Sequence, residues 1–235
     1  MNIRRKLYSW IYPRRCPGCD RLLEPDEKVL CRCCDELVVR TGEVVCVQCG
    51  KPLRDRGQDL CPDCKRGHRF TAGRALFVYS GPMKEAMYRF KYENRRCFGD
   101  NFAVEAKGRY ASLMKIWGIS CIVPIPMYPG KQKKRGYNQA MVLAQRFGEE
   151  FNLPVKDLLE RVEDTPPMKG LSPGTRRRNM KKAFHMKESA VQFNKILLVD
   201  DIFTTGATMD AAAEVLISHG VQAVYALYVC VGEGK

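Results

Sequence analysis

Apolar and polar positions follow two alternating rhythms from residue 74 onward. Arg74-Ala-Leu-Phe-Val-Tyr79 has strand character and is interrupted by Gly81-Pro82. Met83, Met87, Tyr88 and Phe90 then recur at helical spacing, which predicts an amphipathic helix to about Glu93. A second helix is expected over Asn101 to Tyr110. Ile119-Ser-Cys-Ile-Val-Pro-Ile125 reads as a strand ended by Pro124 and Pro126. Gln139 to Phe151 carries Met141, Val142, Ala144, Gln145 and Phe147 in a helical rhythm. Ile196-Leu-Leu-Val199 is an unbroken apolar run, as expected of a strand buried on both faces. A helix over about Ala207 to His219 and a strand over Val221 to Val231 complete the pattern. Glu163 to Asn179, with adjacent prolines, glycines and many charges, reads as a loop. Strands alternating with helices predict an α/β fold with a mostly parallel sheet over residues 71–235.

Residues 1–70 are organised by cysteine instead. Cys16-x2-Cys19 and Cys31-x2-Cys34 recur at an offset of 30 as Cys46-x2-Cys49 and Cys61-x2-Cys64. The segment is therefore a duplicated module. Each knuckle supplies two sulfurs from one tight turn, the arrangement that tetrahedral Zn²⁺ coordination by thiolates requires. Gly18 and Gly50 suit such turns. A disulfide framework is the competing reading, and residues 1–13 offer no apolar run of signal-peptide length to support it. The expectation is a double zinc ribbon with a short N-terminal helix, holding two structural zinc sites. Four cysteines leave no open position for catalysis. Cys33 aligns with Asp63 in the repeat and is expected to be a bystander. The ribbons are left with three possible contacts: nucleic acid, a protein, or the following domain.

The segment from Ile196 to Thr208 carries the chemistry. Asp200 and Asp201 follow the apolar run, and Thr204, Thr205, Gly206, Ala207 and Thr208 lead into the helix. Helix N-termini at the carboxyl ends of parallel strands attract phosphate, and carboxylates suit sugar hydroxyls or a divalent cation. The combination asks for a sugar phosphate. No Gly-x-x-x-x-Gly-Lys-Ser/Thr motif is present, which excludes a P-loop. Only 34 residues follow Asp201, too few for a receiver fold. The segment resembles the phosphoribosyl-diphosphate signature of type I phosphoribosyltransferases. That resemblance implies ribose contacts from the acidic pair, a 5′-phosphate on the Thr/Gly loop, and Mg²⁺ with the ligand.

Charge adds a further class of partner. The formal net charge is +14, and eight thiolates binding two Zn²⁺ would lower it to about +10. Excess base clusters at Lys131-Gln-Lys-Lys-Arg135 and at Arg176-Arg-Arg178 with Lys181 and Lys182. Clusters flanking a phosphate site point to pyrophosphate or nucleic acid, with Tyr128, Tyr137 and Phe184 as nearby aromatics for base stacking. No apolar stretch is long enough to span a membrane. The N-terminal Ile3, Leu7, Trp10 and Ile11 are expected to rest on the first ribbon.

Val123-Pro-Ile-Pro126, the block from Lys131 to Ala140, the paired ribbons and Val199 to Thr208 together resemble the ComF family, from Cys16 to about Cys230. The resemblance implies a phosphoribosyltransferase-like domain, a cytoplasmic location, and work with competence proteins on single-stranded DNA during natural transformation. Arg135, Gly136, Asn138 and Gln139 match one family block, implying pyrophosphate or loop contacts. Thr165, Leu171, Arg176, Asn179, Ala183 and Phe184 match another, with Met168 departing from the family's frequent Gln. Independently, a guanidinium suits pyrophosphate, and Asn138 suits a helix N-cap. No general base or acceptor-reading residue stands out. An active phosphoribosyltransferase is therefore the alternative to a DNA-handling protein. His68, His185 and His219 carry no pattern.

Overall fold

The computed structural model describes residues 13–163, 183–187 and 193–232. Four parallel strands form the central sheet in the order β1-β6-β5-β2, with β1 at Ala72–Val78, β2 at Cys121–Pro124, β5 at Lys195–Phe203 and β6 at Ala223–Val231. Ile196 to Val199 is buried on both faces, which explains its uninterrupted apolar run. Helices α2 (Pro82–Tyr92), α3 (Phe98–Trp117) and α5 (Gln139–Phe151) pack with the alternate sheet residues Leu197, Val199, Leu227 and Val229. Helix α6 (Ala207–Ser218) packs with the other set, Ile196, Leu198, Val224 and Ala226. A one-residue alternation along each strand thus divides the core into two layers.

Each layer is closed by one zinc ribbon. Cys16, Cys31 and Cys34 share a core with Leu76, Phe77 and Met83, beside the short helix α1 (Arg32–Leu37). Cys46, Cys49, Cys61 and Cys64 share the opposite core with Phe203, Met209 and Ala212. The chain between the ribbons runs along the outer edge of β1. Val78 N donates to Val39 O at 2.7 Å and Thr41 N to Leu76 O at 3.2 Å. This pairing covers an edge strand that would otherwise expose free backbone groups. The Arg109 guanidinium donates to Thr41 O and Leu76 O, and Tyr110 Oη to Ala75 O, so α3 locks the same seam.

The structure alters several boundaries. Helix α3 is longer than the Asn101–Tyr110 expectation, because Phe98, Phe102, Ala106, Tyr110, Met114 and Trp117 keep one buried face until Gly118 ends it at φ +65°. The basic cluster at 131–135 lies on a short helix, α4 (Pro129–Arg135), with Pro129 in its first turn and Gly136 beyond its end. Strand β5 continues through the acidic pair to Phe203, because Asp201 and Phe203 still point inward and Phe203 pairs with Val231. Two three-residue strands, β3 (Leu159–Arg161) and β4 (Phe184–Met186), form an antiparallel pair that the sequence pattern did not reveal. The N-terminal residues Ile3 to Ile11 and the block from Thr165 to Asn179, including Arg176 and Asn179, lie outside the described residues.

Candidate functional site

The duplicated knuckles build two sulfur tetrads. Cys16, Cys19, Cys31 and Cys34 form one, Cys46, Cys49, Cys61 and Cys64 the other, and within each the four sulfurs lie within 4.8 Å of one another. Zn–S bonds of about 2.3 Å in a tetrahedron place sulfurs about 3.8 Å apart. Cys19 and Cys31 are 3.6 Å apart, as are Cys49 and Cys61. The donor set therefore fits zinc. The 30-residue offset recurs in the backbone: Cys16 N donates to Arg21 O and Cys46 N to Lys51 O, both at 2.8 Å. Asp20 and Gly50, also 30 apart, both turn the chain at positive φ. Burial alone would raise the Cys31 thiol, but hydrogen bonds led by that from Arg21 bring it down to about 6, favouring thiolate. Cys33 is exposed and outside the tetrad. Elemental analysis of reduced protein should give about two Zn per chain. Cys33→Ser should leave that stoichiometry unchanged and Cys34→Ser should lower it; absence of zinc would overturn the assignment.

The second site lies at the carboxyl end of β5. Asp200 and Asp201 sit on the strand, Thr204 and Thr205 are exposed on the bend, and Gly206 at φ +80° precedes the helix beginning at Ala207 and Thr208. Asp201 accepts a 2.9 Å contact from Lys91 Nζ, a residue of α2. Their side chains are only 12% and 20% exposed. Burial would lower the Lys91 ammonium, yet the two carboxylates raise it overall, and Arg135 acts in the opposite sense. Asp200 keeps some solvent-facing area but is surrounded by protein. Loss of water, then the charge of Asp201, pushes its carboxyl up to about 7. In a titration with phosphoribosyl diphosphate and Mg²⁺, a site held by the Asp200 carboxylate should gain affinity as pH increases through about 7. Asp200→Asn should flatten that rise in calorimetric titration; an unchanged pH profile would remove Asp200 from the site.

Arg135 reaches the same region. Its guanidinium donates to Gln139 Oε1 at 2.9 Å and to Tyr92 Oη at 3.3 Å, and lies 4.9 Å from the Tyr92 ring centre. Gln139 is buried, and its Nε2 has no hydrogen-bond partner among the described residues. Asn138 is a helix cap: Oδ1 accepts from Ala140 N and Nδ2 donates to Ile125 O, both at 3.0 Å. Gly136 ends α4 at φ +85°. Beside this block, a groove of about 510 Å³ is lined by Arg96, Met127, Asn138, Met141, Arg161 and Lys187. It does not include the acidic pair or the Thr/Gly loop.

Two site neighbours were invisible to sequence reasoning. Lys91 has no assignment from the sequence, and His68 carries no pattern. Of the stacking candidates, Tyr128 is half-buried and the other two need correction. Tyr137 is buried with its hydroxyl donated to Phe90 O, and Phe184 is buried. The exposed aromatics here are Tyr88 and Tyr92, one helical turn apart with ring centres 5.2 Å apart.

A ribbon pair folded onto a parallel sheet, with a strand–acidic pair–Thr/Gly–helix site, defines a double zinc ribbon protein with a phosphoribosyltransferase-like domain. The double zinc ribbon domain family matches residues 7–74 and the phosphoribosyl transferase domain family residues 133–233. The chain is 31% identical to Competence protein F of Haemophilus influenzae, over 62% of this chain and 66% of that one. It is 32% identical to Competence protein ComFC of Streptococcus pneumoniae over 64% of each chain, and 32% identical to DNA utilization protein YhgH of Escherichia coli over 46% and 48%. The chain belongs to the ComF family. The matches span two thirds or less of those relatives. A purine phosphoribosyltransferase structure from Pyrococcus horikoshii is similar at 14% identity and a TM-score of 0.36, over 55% of this chain and 83% of that one. Among the described residues, no helix is long and apolar enough to cross a membrane.

Proposed function

We propose that this chain binds a phosphoribosyl-diphosphate-type sugar phosphate at the end of β5 and handles single-stranded DNA during natural transformation, as a cytoplasmic partner of competence proteins. The observation that carries the DNA reading is the exposed Tyr88–Tyr92 pair with Arg135 against one ring. Bases stack on exposed aromatics without needing a sequence-specific edge, and a guanidinium beside the ring serves the backbone. The exposed Lys133 and Lys134 of α4 extend the positive face. In the sugar-phosphate reading, Thr204, Thr205, Gly206, Ala207 and Thr208 hold the 5′-phosphate. Asp200 and Asp201 hold ribose hydroxyls, and Arg135 with Gln139 meets pyrophosphate. Mg²⁺ would supply charge neutralisation between the carboxylates and the diphosphate.

The test is a titration with phosphoribosyl diphosphate and Mg²⁺, followed by an oligothymidine titration on the same protein at several salt concentrations. The log–log salt slope should be roughly −0.7 per phosphate neutralised. Joint replacement of Lys133 and Lys134, with Arg176, Arg177 and Arg178, should flatten that slope. Tyr88→Ala with Tyr92→Ala should cost about 1–3 kcal/mol per stacked base while leaving the slope unchanged. Salt-independent binding, or none at low ionic strength, would overturn the DNA reading.

An active phosphoribosyltransferase is the second reading, favoured by a carboxyl near pH 7 at the reacting end of the strand. Turnover of phosphoribosyl diphosphate with a panel of nucleobases would establish it.

A further inference from the structure

His68 lies where the chain leaves the second ribbon, and it is the closest neighbour that any side chain at Gly206 would meet. A Cβ on Gly206 would fall 2.5 Å from His68 Cε1, 2.9 Å from Nδ1 and 3.0 Å from Phe203 Cζ. These separations are well inside van der Waals contact. The glycine is therefore required by the imidazole as well as by its positive φ.

The ring is held firmly. Its side chain is 3% exposed, and Nδ1 lies 2.9 Å from Asp210 Oδ2 in the first turn of α6. The other Asp210 oxygen accepts from Arg69 N at 2.8 Å, so one carboxylate fastens two successive linker residues. Arg69 Nε also reaches Glu214 Oε2 at 2.6 Å, one helical turn further on. Phe70 stacks on the imidazole at 4.9 Å, and Phe203 meets both rings edge-on. His68 Nε2 is buried with no hydrogen-bond partner among the described residues, so Asp210 and ring packing fix the orientation.

These contacts lead back to the second metal tetrad. Gln48, inside the Cys46–Cys49 knuckle, donates to Phe70 O at 3.3 Å, and Tyr228 Oη donates to Cys49 O at 2.8 Å. The first tetrad packs in the opposite core layer, with Leu76, Phe77 and Met83.

We infer that His68 is the positioning residue of the Thr204–Thr208 loop, so that the second zinc ribbon, and not the first, sets the shape of the sugar-phosphate site. This rests on reading that loop as a phosphate loop. The imidazole occupies the space behind Gly206 and prevents the bend from collapsing inward, while Asp210 ties the start of α6 to the ribbon. The backbone N–H groups of the loop are thereby held ready for an anion before it arrives.

The decisive experiment is a double-mutant cycle read by ribose 5-phosphate titration and by amide hydrogen exchange at residues 204–208. Gly206→Ala in the wild-type background should weaken binding about tenfold or more, and in a His68→Ala background by a factor at least about threefold smaller, the strain of alanine at positive φ being common to both. His68→Ala should speed loop exchange while retaining both zinc ions. His68→Asn, which keeps a donor near the Nδ1 position, should restore slow exchange. Cys61→Ser in the second tetrad should speed exchange at the loop, and Cys19→Ser in the first should not.

Wild-type protein that fails to bind ribose 5-phosphate at millimolar concentration would overturn the phosphate-loop reading itself. Wild-type binding with equal costs of Gly206→Ala in both backgrounds, and unchanged loop exchange in His68→Ala, would overturn the inference alone.

Discussion

Adding a strong zinc chelator to reduced protein is expected to abolish the cooperative melting of the whole chain. Structural zinc sites contribute apparent binding free energies of about 10–16 kcal/mol each, whereas an entire domain is stable by about 5–15 kcal/mol. That comparison would matter little if the ribbons were appendages. Here Cys16, Cys31 and Cys34 sit in one core layer with Leu76 and Phe77, and Cys46, Cys49, Cys61 and Cys64 in the other with Phe203 and Met209. Val29, Leu30 and Val38 of the first module, and Phe70 just beyond the second, are buried through the same packing. Releasing both metals would therefore uncover both faces of the sheet, along with the edge of β1 that residues 39–41 cover. Calorimetry with and without chelator is the measurement. A body that still melts at the original temperature after two zinc equivalents have left would show the ribbons to be independent of it.

The reach of the sequence was set by how local each feature is. The tetrads were legible because metal geometry fixes a short spacing, and a duplication makes that spacing repeat. The β5–loop–α6 unit was legible because an apolar run, two acids and a glycine fall within thirteen consecutive residues. Its strand boundary was misjudged because charge at Asp200 and Asp201 hid the continuing alternation of Ile202 and Phe203. Strands β3 and β4 are too short to show a period. Periodicity also gives no direct measure of exposure, so Tyr137 and Phe184 stood as stacking candidates although buried, while Tyr88 counted with the apolar rhythm of its helix although exposed. The placement of the ribbons on opposite faces depends on the path of the chain along β1, which the repeated cysteine spacing does not encode. Lys91 and His68 find their partners 110 and 142 residues away, at Asp201 and Asp210, and a lone cation or imidazole carries no local signal of such a pairing.

Replacing Lys91 with methionine should destabilise the protein by about 3 kcal/mol although the side chain keeps most of its volume. The loss comes from the partner left behind. Asp201 is buried, its Oδ2 is 2.9 Å from Lys91 Nζ, and its own N–H donates to Asp200 Oδ1 at 2.9 Å. Without the ammonium, two adjacent carboxylates remain on one strand in a medium that solvates charge poorly. Asp200 already titrates near 7 from burial and from Asp201, and Lys91 is among the groups holding it below a still higher value. Because this folded-state pKa exceeds the ordinary value of 3.8, the folded protein binds the extra proton between about 4 and 7. Stability from this group is thus lost as pH rises through that window. In Lys91→Met the window extends upward, so the penalty should be larger at pH 8 than at pH 5. Asp201→Asn in the same chain should recover most of it, since neither charge of the pair then remains. Mg²⁺ should stabilise the methionine variant more than the wild type, a divalent cation taking the place of the missing ammonium between the carboxylates. Urea unfolding at the two pH values, with and without Mg²⁺, measures each of these differences. A loss below about 1 kcal/mol at both would show a screened surface contact and would remove Lys91 from the electrostatics of the site.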